Sequence, residues 1–474
     1  MSTASPAPLT NPEISFALQR EAFSADPFPS ARERRTRLDR LMRAIKSQQT
    51  EIESAIDRDF AGRSRTEVRY SEILVSLQSL RHAKRNVGEW MKSRPVHVDL
   101  TLQMARAWVM PQPVGVVGIV VPWNYPLFLT MGPLAGALAA GNRVMLKLSE
   151  FAPFTSCVLA RLLADCFAPD LVTAIEGEAE VAKAFVRLPF DHLLFTGSTA
   201  VGRQVMRAAA ENLTPVTLEL GGKSPLLLAP DANIASAAAS IVYGKFLNAG
   251  QTCIAPDYAL VPASRLEESI KVLGAEIEKQ YPGATDNPDY TAIINEAQFN
   301  RLAAYLDEAR AAGCRVITAG EQAVRQNRKM PPTLVVDPPE DLRLMQEEIF
   351  GPILPILPYD SLDDAVRQIN ERPKPLALYL YTRSSQIVDD VLRRTASGGV
   401  SINDTLMHIA VEDLPFGGVG PSGLGHYHGR TGFDTFSKLK PVFERRSFAL
   451  SAALRPPYGR LHELVMSFLI RRWK

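Results

Sequence analysis

Cysteine is scarce, with four among 474 residues, no Cys-x-x-Cys pair and no histidine close by at metal-ligand spacing. That excludes a disulfide framework and structural zinc as organising devices, and it fits a reducing compartment such as the cytoplasm. Charge of one sign is lacking too. A formal net charge of +2 gives no field that would gather nucleic acid or an anionic membrane, so a substrate other than a polyanion is expected. No uninterrupted apolar run is long enough to cross a bilayer. The most apolar stretch, Val114 to Gly141, is broken by Pro122, Asn124, Pro126, Gly132 and Pro133, and reads as buried strand, turn and helix. Residues 1–11 show no basic start followed by an apolar run, so no secretory signal is expected.

What is present is an ordinary globular composition, 46% apolar and 22% charged, in a chain long enough for two or three cores. The proline-bearing first thirty residues are expected to run over the surface as an arm. From Arg32 to Phe60 the set Leu38, Leu41, Ile45, Ile52, Ile56 and Phe60 recurs at helical spacing and predicts one amphipathic helix. A second is predicted from Thr66 to Met91. The period then changes: Val98, Leu100, Leu102, Met104, Trp108 and Met110 alternate as in a half-buried strand.

From Val114 onward, short Val/Ile/Leu runs alternate with helical segments: Val116–Val121 then Ala135–Ala140, Val144–Leu148 then Phe154–Phe167, Leu193–Thr196 then Val201–Ala210. Apolar runs without alternation are strands covered on both faces, which predicts a doubly wound α/β domain. A second α/β region is expected from Ser224 to about Asp404. Beyond Pro441 the chain turns basic, and Leu461, Leu464, Val465, Phe468 and Leu469 predict an amphipathic helix ending in Arg471-Arg472-Trp473-Lys474. At about fourteen residues it is too short to span a bilayer, so docking on its own protein is expected, with surface attachment to lipid as the alternative.

Several short blocks carry chemistry. Phe195-Thr196-Gly197-Ser198-Thr199-Ala200-Val201-Gly202 ends a buried strand and opens a helix, so its free N–H groups and the Ser198 hydroxyl suit a pyrophosphate, although glycines there can serve geometry alone. Lys147 and Glu150 leave another strand where a dinucleotide's ribose hydroxyls would lie; a solvated strand exit is the competing reading. Glu219 sits among apolar residues before Gly221-Gly222. Burial there raises a carboxyl pKa as a general base requires, unless the group is merely ion-paired. Asn124 stands in the rigid Pro122-Trp123-Asn124-Tyr125-Pro126 loop and offers an oxyanion donor, or only a turn.

The centre of the pattern is Asn248-Ala249-Gly250-Gln251-Thr252-Cys253-Ile254-Ala255-Pro256. Cys253 is read as a nucleophile, whereas Cys157, Cys166 and Cys314 lie in ordinary apolar patterns and are expected to be buried.

Taken in order, these blocks together with Gln346-Glu347-Glu348-Ile349-Phe350-Gly351-Pro352 resemble the aldehyde dehydrogenase superfamily across nearly the whole chain. Cys253-Ile254-Ala255-Pro256-Asp257-Tyr258 and Leu414-Pro415-Phe416-Gly417-Gly418-Val419-Gly420 look like the class-three branch. Asn403-Asp404-Thr405-Leu406-Met407-His408 and Gly425-His426-Tyr427-His428-Gly429 are similar to bacterial coniferyl aldehyde dehydrogenases. Leu148 departs from the pattern, which usually has proline there.

The resemblance implies an aldehyde dehydrogenase fold: a Rossmann-like NAD(P)-binding domain over 1–97 and 115–222, a catalytic domain over 223–412, oligomerisation strands over 98–114 and 432–450, and a tail over 451–474. It implies attack by Cys253 on an aldehyde, an oxyanion held by Asn124 and the Cys253 N–H, hydride transfer to a nicotinamide, and hydrolysis of the thioester by water that Glu219 activates. Glu348 would hold the nicotinamide ribose, with Phe350 beside the ring; Lys147 and Glu150 would hold the adenosine ribose; Trp123, Gly197, Ser198 and Gly202 belong to the same cofactor site, and no metal is implied. Glu150 should favour NAD over NADP, while the branch often accepts both. Tyr70, Trp123, His408 and Ile409 are the candidate pocket wall, suited to a coniferyl-type aldehyde; a medium- or long-chain aliphatic aldehyde, a coenzyme A-acylating activity and a catalytically silent structural role are the alternatives. A homodimer is implied as the assembly.

Overall fold

The computed structural model describes residues 11–99, 102, 105–320, 327–445 and 455–471. Three sheets of six, seven and three strands organise them. In the six-stranded sheet the spatial order is Gly423–Leu424, Val216–Glu219, His192–Thr196, Val116–Val120, Arg143–Lys147 and Val172–Ile175, all parallel except the first. The expected continuous apolar runs are these central strands: Val116, Val117, Ile119, Val144, Leu146, Leu193 and Leu194 are fully buried because helices cover both faces. The edge strand Val172–Ile175 is an addition to the expected set, as is Gly423–Leu424, which returns from beyond the predicted catalytic range to pair with the Glu219 strand.

The second sheet runs Arg315–Thr318, Thr333–Val336, Ile353–Tyr359, Tyr258–Pro262, Pro225–Leu228, Ala377–Tyr381, Gly399–Ile402, parallel but for the first strand. It accounts for the expected second α/β region. The small sheet joins Arg94–Val96, Ala105–Pro113 and Ser437–Arg445 in antiparallel order, with Val96, Leu439 and Phe443 exposed.

The structure corrects several expectations. Residues 12–25 are not a surface arm: Pro12–Ala25 is a helix, capped by Asn11, whose side chain accepts from Glu13 N and Ile14 N. Pro12 at the first turn is a helix starter there, since its missing N–H is not needed. Phe16 and Gln19 are buried, and the Gln19 amide donates to the Val144 carbonyl at 3.0 Å, fastening the helix to the first sheet. The single helix expected over 32–60 is two, Ala31–Ser47 and Gln49–Phe60, broken where Gln48 leaves helical geometry (φ −103°, ψ 15°).

The next predicted helix contains a π-helical segment, Arg69–Leu74, between Arg65–Val68 and Val75–Trp90. The strand expected from Val98 starts at Ala105, with positions 100, 101, 103 and 104 outside the described residues. In the predicted oligomerisation segment 432–450, residues to Thr435 finish the helix Gly429–Thr435, the strand starts at Ser437, and 446–450 lie outside the described residues.

Cys157 is exposed and Cys166 and Cys314 are only part-buried, so the three are not core residues as expected. The tail does form a helix, Arg460–Arg471, but none of its residues is buried and Leu461 is 73% exposed, so it does not dock on its own chain as expected. Residues 451–454 and 472–474 of the predicted tail lie outside the described residues. No described helix is long and apolar enough to cross a membrane.

Candidate active site

The cysteine owes its position to an unusual turn. After the helix Ile234–Phe246, residues Asn248 (φ 53°), Ala249 (φ 51°) and Gly250 (φ 74°) are left-handed in succession. A non-glycine residue pays roughly 1–2 kcal/mol for that conformation, so the loop must be tied down elsewhere. It is: Gln251 Nε2 donates to the carbonyls of Asn248 and Ala292 at 3.0 Å each, its Oε1 accepts from Ile294 N at 2.9 Å, and Asn248 Nδ2 donates to the Asn124 and Gln251 carbonyls. At Gly250 a side chain would collide with the Gly351 carbonyl. Cys253 therefore sits at the end of a fixed, strained loop, half-buried.

Two loops meet it. Asn124 is buried, and its Nδ2 donates to the Gln251 carbonyl at 3.2 Å, two residues before the cysteine. An amide carries two N–H bonds, so one remains for an oxyanion. Beneath it lies a buried support. Arg63 donates to the Asn124 carbonyl at 3.1 Å and pairs with Glu72 at 2.9 Å, and Glu72 accepts from Leu127 N and Phe128 N at the start of the helix Phe128–Ala140. The π-helical segment places Glu72 there. Both partners are fully buried, where removing one member of such a pair costs about 3–5 kcal/mol. Burial pushes the Glu72 carboxyl up to about 7 against the opposing charge of Arg63.

Glu219 ends its strand buried, with neither carboxylate oxygen hydrogen-bonded among the described residues. No ion pair offsets its burial, which pushes its pKa well above the carboxylate range. That removes the structural ion-pair reading. Glu348 is also held up, to about 8, chiefly by burial, while the Gly222 N–H donates to it. Gly221 makes its seat, since a side chain at that position would overlap the Glu348 carboxylate. Lys223 pairs with Asp257 and donates to the Leu344 and Glu347 carbonyls at 2.7 and 3.0 Å, which anchors the Glu348 loop. The Cys253 thiol is pushed up to about 12, first by burial and then by the charges of Glu348 and Glu219.

Cys253, Asn124, Glu219, Glu348, Phe350, Trp123, Gly197 and Ser198 all line one solvent-open cleft. It fits a dinucleotide. The helix Thr199–Ala210 presents its N-terminus to the cleft, the buried Thr196 hydroxyl on its wall has no partner among the described residues, and Trp123 stands edge-on to Phe350 at 5.3 Å. Phe350 itself is left-handed (φ 48°).

Some expected contributors have other tasks. The Ser198 oxygen caps the helix, accepting from Val201 N at 3.4 Å, and leaves its own O–H free to donate. Gly202 does not line the cleft; it lets the helix lie against Leu220. Lys147 and Glu150 lie outside that lining, at the carboxyl end of the adjoining strand, with Lys147 donating to the Leu148 carbonyl at 2.6 Å and pairing with Glu150 at 3.4 Å.

On the other side of the sulfur lies a second pocket. Tyr70 and Ile409 line it. His408 does not: its ring bonds Ser401 Oγ at 2.9 Å and stacks on Phe416, and burial holds its pKa down to about 4. Trp123 belongs to the larger cleft instead. The wall residues that sequence reasoning missed include Tyr125, Phe128, Leu129, Tyr243 and Met407. Tyr125 comes directly after Asn124 and Phe128 four residues after it, a usable signal; nothing local marks Tyr243, which lies in a plain apolar helix.

The aldehyde dehydrogenase family model matches residues 15–442. A protein described as a probable coniferyl aldehyde dehydrogenase from Pseudomonas aeruginosa is 51% identical over 460 residues, 97% of this chain and 96% of that one. Aldehyde dehydrogenase family 3 member A2 of Pongo abelii is 40% identical over 90% of this chain and 87% of its own. Among solved structures, substrate-bound Staphylococcus aureus AldH superposes with a TM-score of 0.93 at 38% identity, covering 97% of this chain and all of that one. Mycobacterium tuberculosis aldehyde dehydrogenase complexed with NAD+ gives 0.82 at 29% identity, covering 92% and 90%. A cysteine between two clefts, on a frame shared over nearly its whole length with these proteins, agrees with that match: the chain belongs to the aldehyde dehydrogenase family, among relatives of the class-three branch.

Proposed function

We propose that the aldehyde this enzyme oxidises is aromatic and of the coniferyl type, and that Cys253, Asn124 and Glu219 carry the reaction. The observation behind the substrate class is the pocket beyond Cys253, walled by Tyr70, Tyr125, Phe128, Leu129 and Tyr243, whose flat apolar faces suit a conjugated ring. The name of the Pseudomonas aeruginosa relative supports the same class.

Cys253 Sγ, having given its proton to solvent, adds to the carbonyl carbon to form a thiohemiacetal. Asn124 Nδ2 and the Cys253 N–H hold the oxyanion where charge develops. Ser198, Glu348, Phe350 and Trp123, with Lys147 and Glu150 toward the adenosine ribose, would hold a dinucleotide, which would supply the acceptor for the hydride lost as the thiohemiacetal becomes a thioester. Glu219, unpartnered and desolvated, then takes a proton from water that cleaves the Cys253 thioester and releases the acid.

The test is kcat/KM for coniferyl aldehyde against decanal: a higher value for the aromatic substrate is expected, and a higher value for decanal transfers the enzyme to the aliphatic reading. Run with both cofactors, the assay should favour NAD, because Glu150 repels a ribose phosphate; an equal or better value with NADP overturns that preference. The exposed three-stranded sheet, with Leu439 and Phe443 open to solvent, supports a homodimer, and a monomer by light scattering would exclude it.

A further inference from the structure

The apolar pocket beyond Cys253 has one carboxylate in its wall and no basic side chain. Among the described residues that line it, Glu412 is the lone acid, and none is lysine, arginine or histidine. The cleft on the other side of the sulfur differs, since Arg203, Lys223, Arg301 and Lys374 stand in its wall beside the carboxylates. An anion that approaches Cys253 therefore meets cations from the cleft side and a negative charge from the pocket side.

Glu412 is held where it stands. Ser79, on the helix Val75–Trp90, donates its hydroxyl to Glu412 Oε1. At Gly429, left-handed at φ 45°, a side chain would collide with the Glu412 carbonyl, so that loop closes tightly on the Glu412 backbone. No lysine or arginine offsets the charge. Burial pushes the carboxyl upward, the Ser79 bond and then the His82 ring pull it back, and Asp413 adds to the rise. His82 is itself shared, with its Nε2 3.2 Å from the Asp413 carboxylate.

We propose that Glu412 determines which aldehydes the pocket admits, by turning away those that carry a carboxylate or another anionic group. A fixed charge in an apolar wall acts in a dielectric well below that of water, so it raises the energy of a second negative charge throughout the pocket, whichever seat that charge takes. A neutral aldehyde is barely affected, and a cationic one is attracted. Selection of this kind works through an unfavourable pairing with the wrong substrate. It rests on the reading that the pocket receives the aldehyde, and it holds for an aromatic or an alkyl one.

The experiment measures kcat/KM for benzaldehyde, for the anion 4-formylbenzoate and for the cation (4-formylphenyl)trimethylammonium, with the full-length enzyme and saturating NAD at about pH 8.5, where carboxyl groups are ionised. The wild type is expected to use the cation better than the anion by about tenfold or more. In Glu412→Gln the value for the anion should rise about tenfold while that for benzaldehyde stays within about twofold. A cation-to-anion ratio unchanged in that variant overturns the proposal. Should Glu412→Gln fail to fold, Glu412→Ala is read in the same way, and a wild type that uses the anion as well as the cation overturns the proposal without either variant. Ile409→Trp, which narrows the pocket, separates the two readings. If it leaves KM for benzaldehyde unchanged, the aldehyde goes elsewhere and the role of Glu412 falls with the pocket; if it raises KM yet Glu412→Gln leaves the ratio unmoved, the role of Glu412 alone fails.

Discussion

The two spaces that meet at Cys253 are built from opposite materials. On one side the cleft is walled by glycines, a helix N-terminus and carboxylates drawn from both large sheets; on the other the pocket is walled by rings and aliphatic side chains from helices and the 406–410 loop. Backbone groups and charge can hold a large polar cofactor in a fixed pose, whereas dispersion and shape select an apolar aldehyde. The difference teaches that the sulfur stands on a boundary in polarity, with Asn124 and Glu219, the proposed oxyanion donor and base, both on the polar side.

That contrast can be broken first at the sulfur. Cys253→Ser should lower kcat on the order of 10⁴-fold or more while dinucleotide binding, monitored by fluorescence quenching, persists; retained turnover would show that the boundary residue is not the nucleophile. The polar side is probed next. Asn124→Ala should cost roughly 10²–10³ in kcat with little change in KM, and an unaltered kcat would remove it as an oxyanion donor. Glu219→Gln should leave the first NADH burst intact and slow the later turnovers by about 10²-fold or more, because only thioester hydrolysis needs the base; a steady rate equal to wild type would assign the base elsewhere.

The smallest effect concerns pH. In the proposed reaction Cys253 and Glu219 both act deprotonated, and burial raises both pKa values, so each gains its working form as pH rises. The rate should climb from about pH 6 to about pH 9, by up to about tenfold per unit where one group limits. A rate that falls over that range would contradict the ionisation assigned to the polar side.

Much of this arrangement is legible in the sequence because it is local. Strands that end at Lys147, Thr196 and Glu219 announce themselves as unbroken apolar runs, and their motifs sit at the carboxyl ends. What fails to show is which way a side chain faces once several elements converge. His408 and Ile409 are neighbours in a short turn, yet one stacks on Phe416 and the other lines the pocket. Trp123 next to Asn124 faces Phe350, a contact across more than two hundred residues that no local period encodes. The N-terminal helix hides for a different reason: Pro12 looks like a breaker when, preceded by the capping Asn11, it starts the helix. The apolar face of the tail helix is visible in the sequence, but a helical period cannot say whether anything covers it.

The seat that Gly221 leaves for Glu348 has a consequence for how such a protein can change over generations. Two loops from different sheets compete for the space of a single methyl group, and any larger substituent at 221 would oblige the Glu348 carboxylate to swing away. A lineage that enlarged position 221 would therefore surrender that seat, so the glycine is inherited on behalf of a carboxylate 127 places further along the chain.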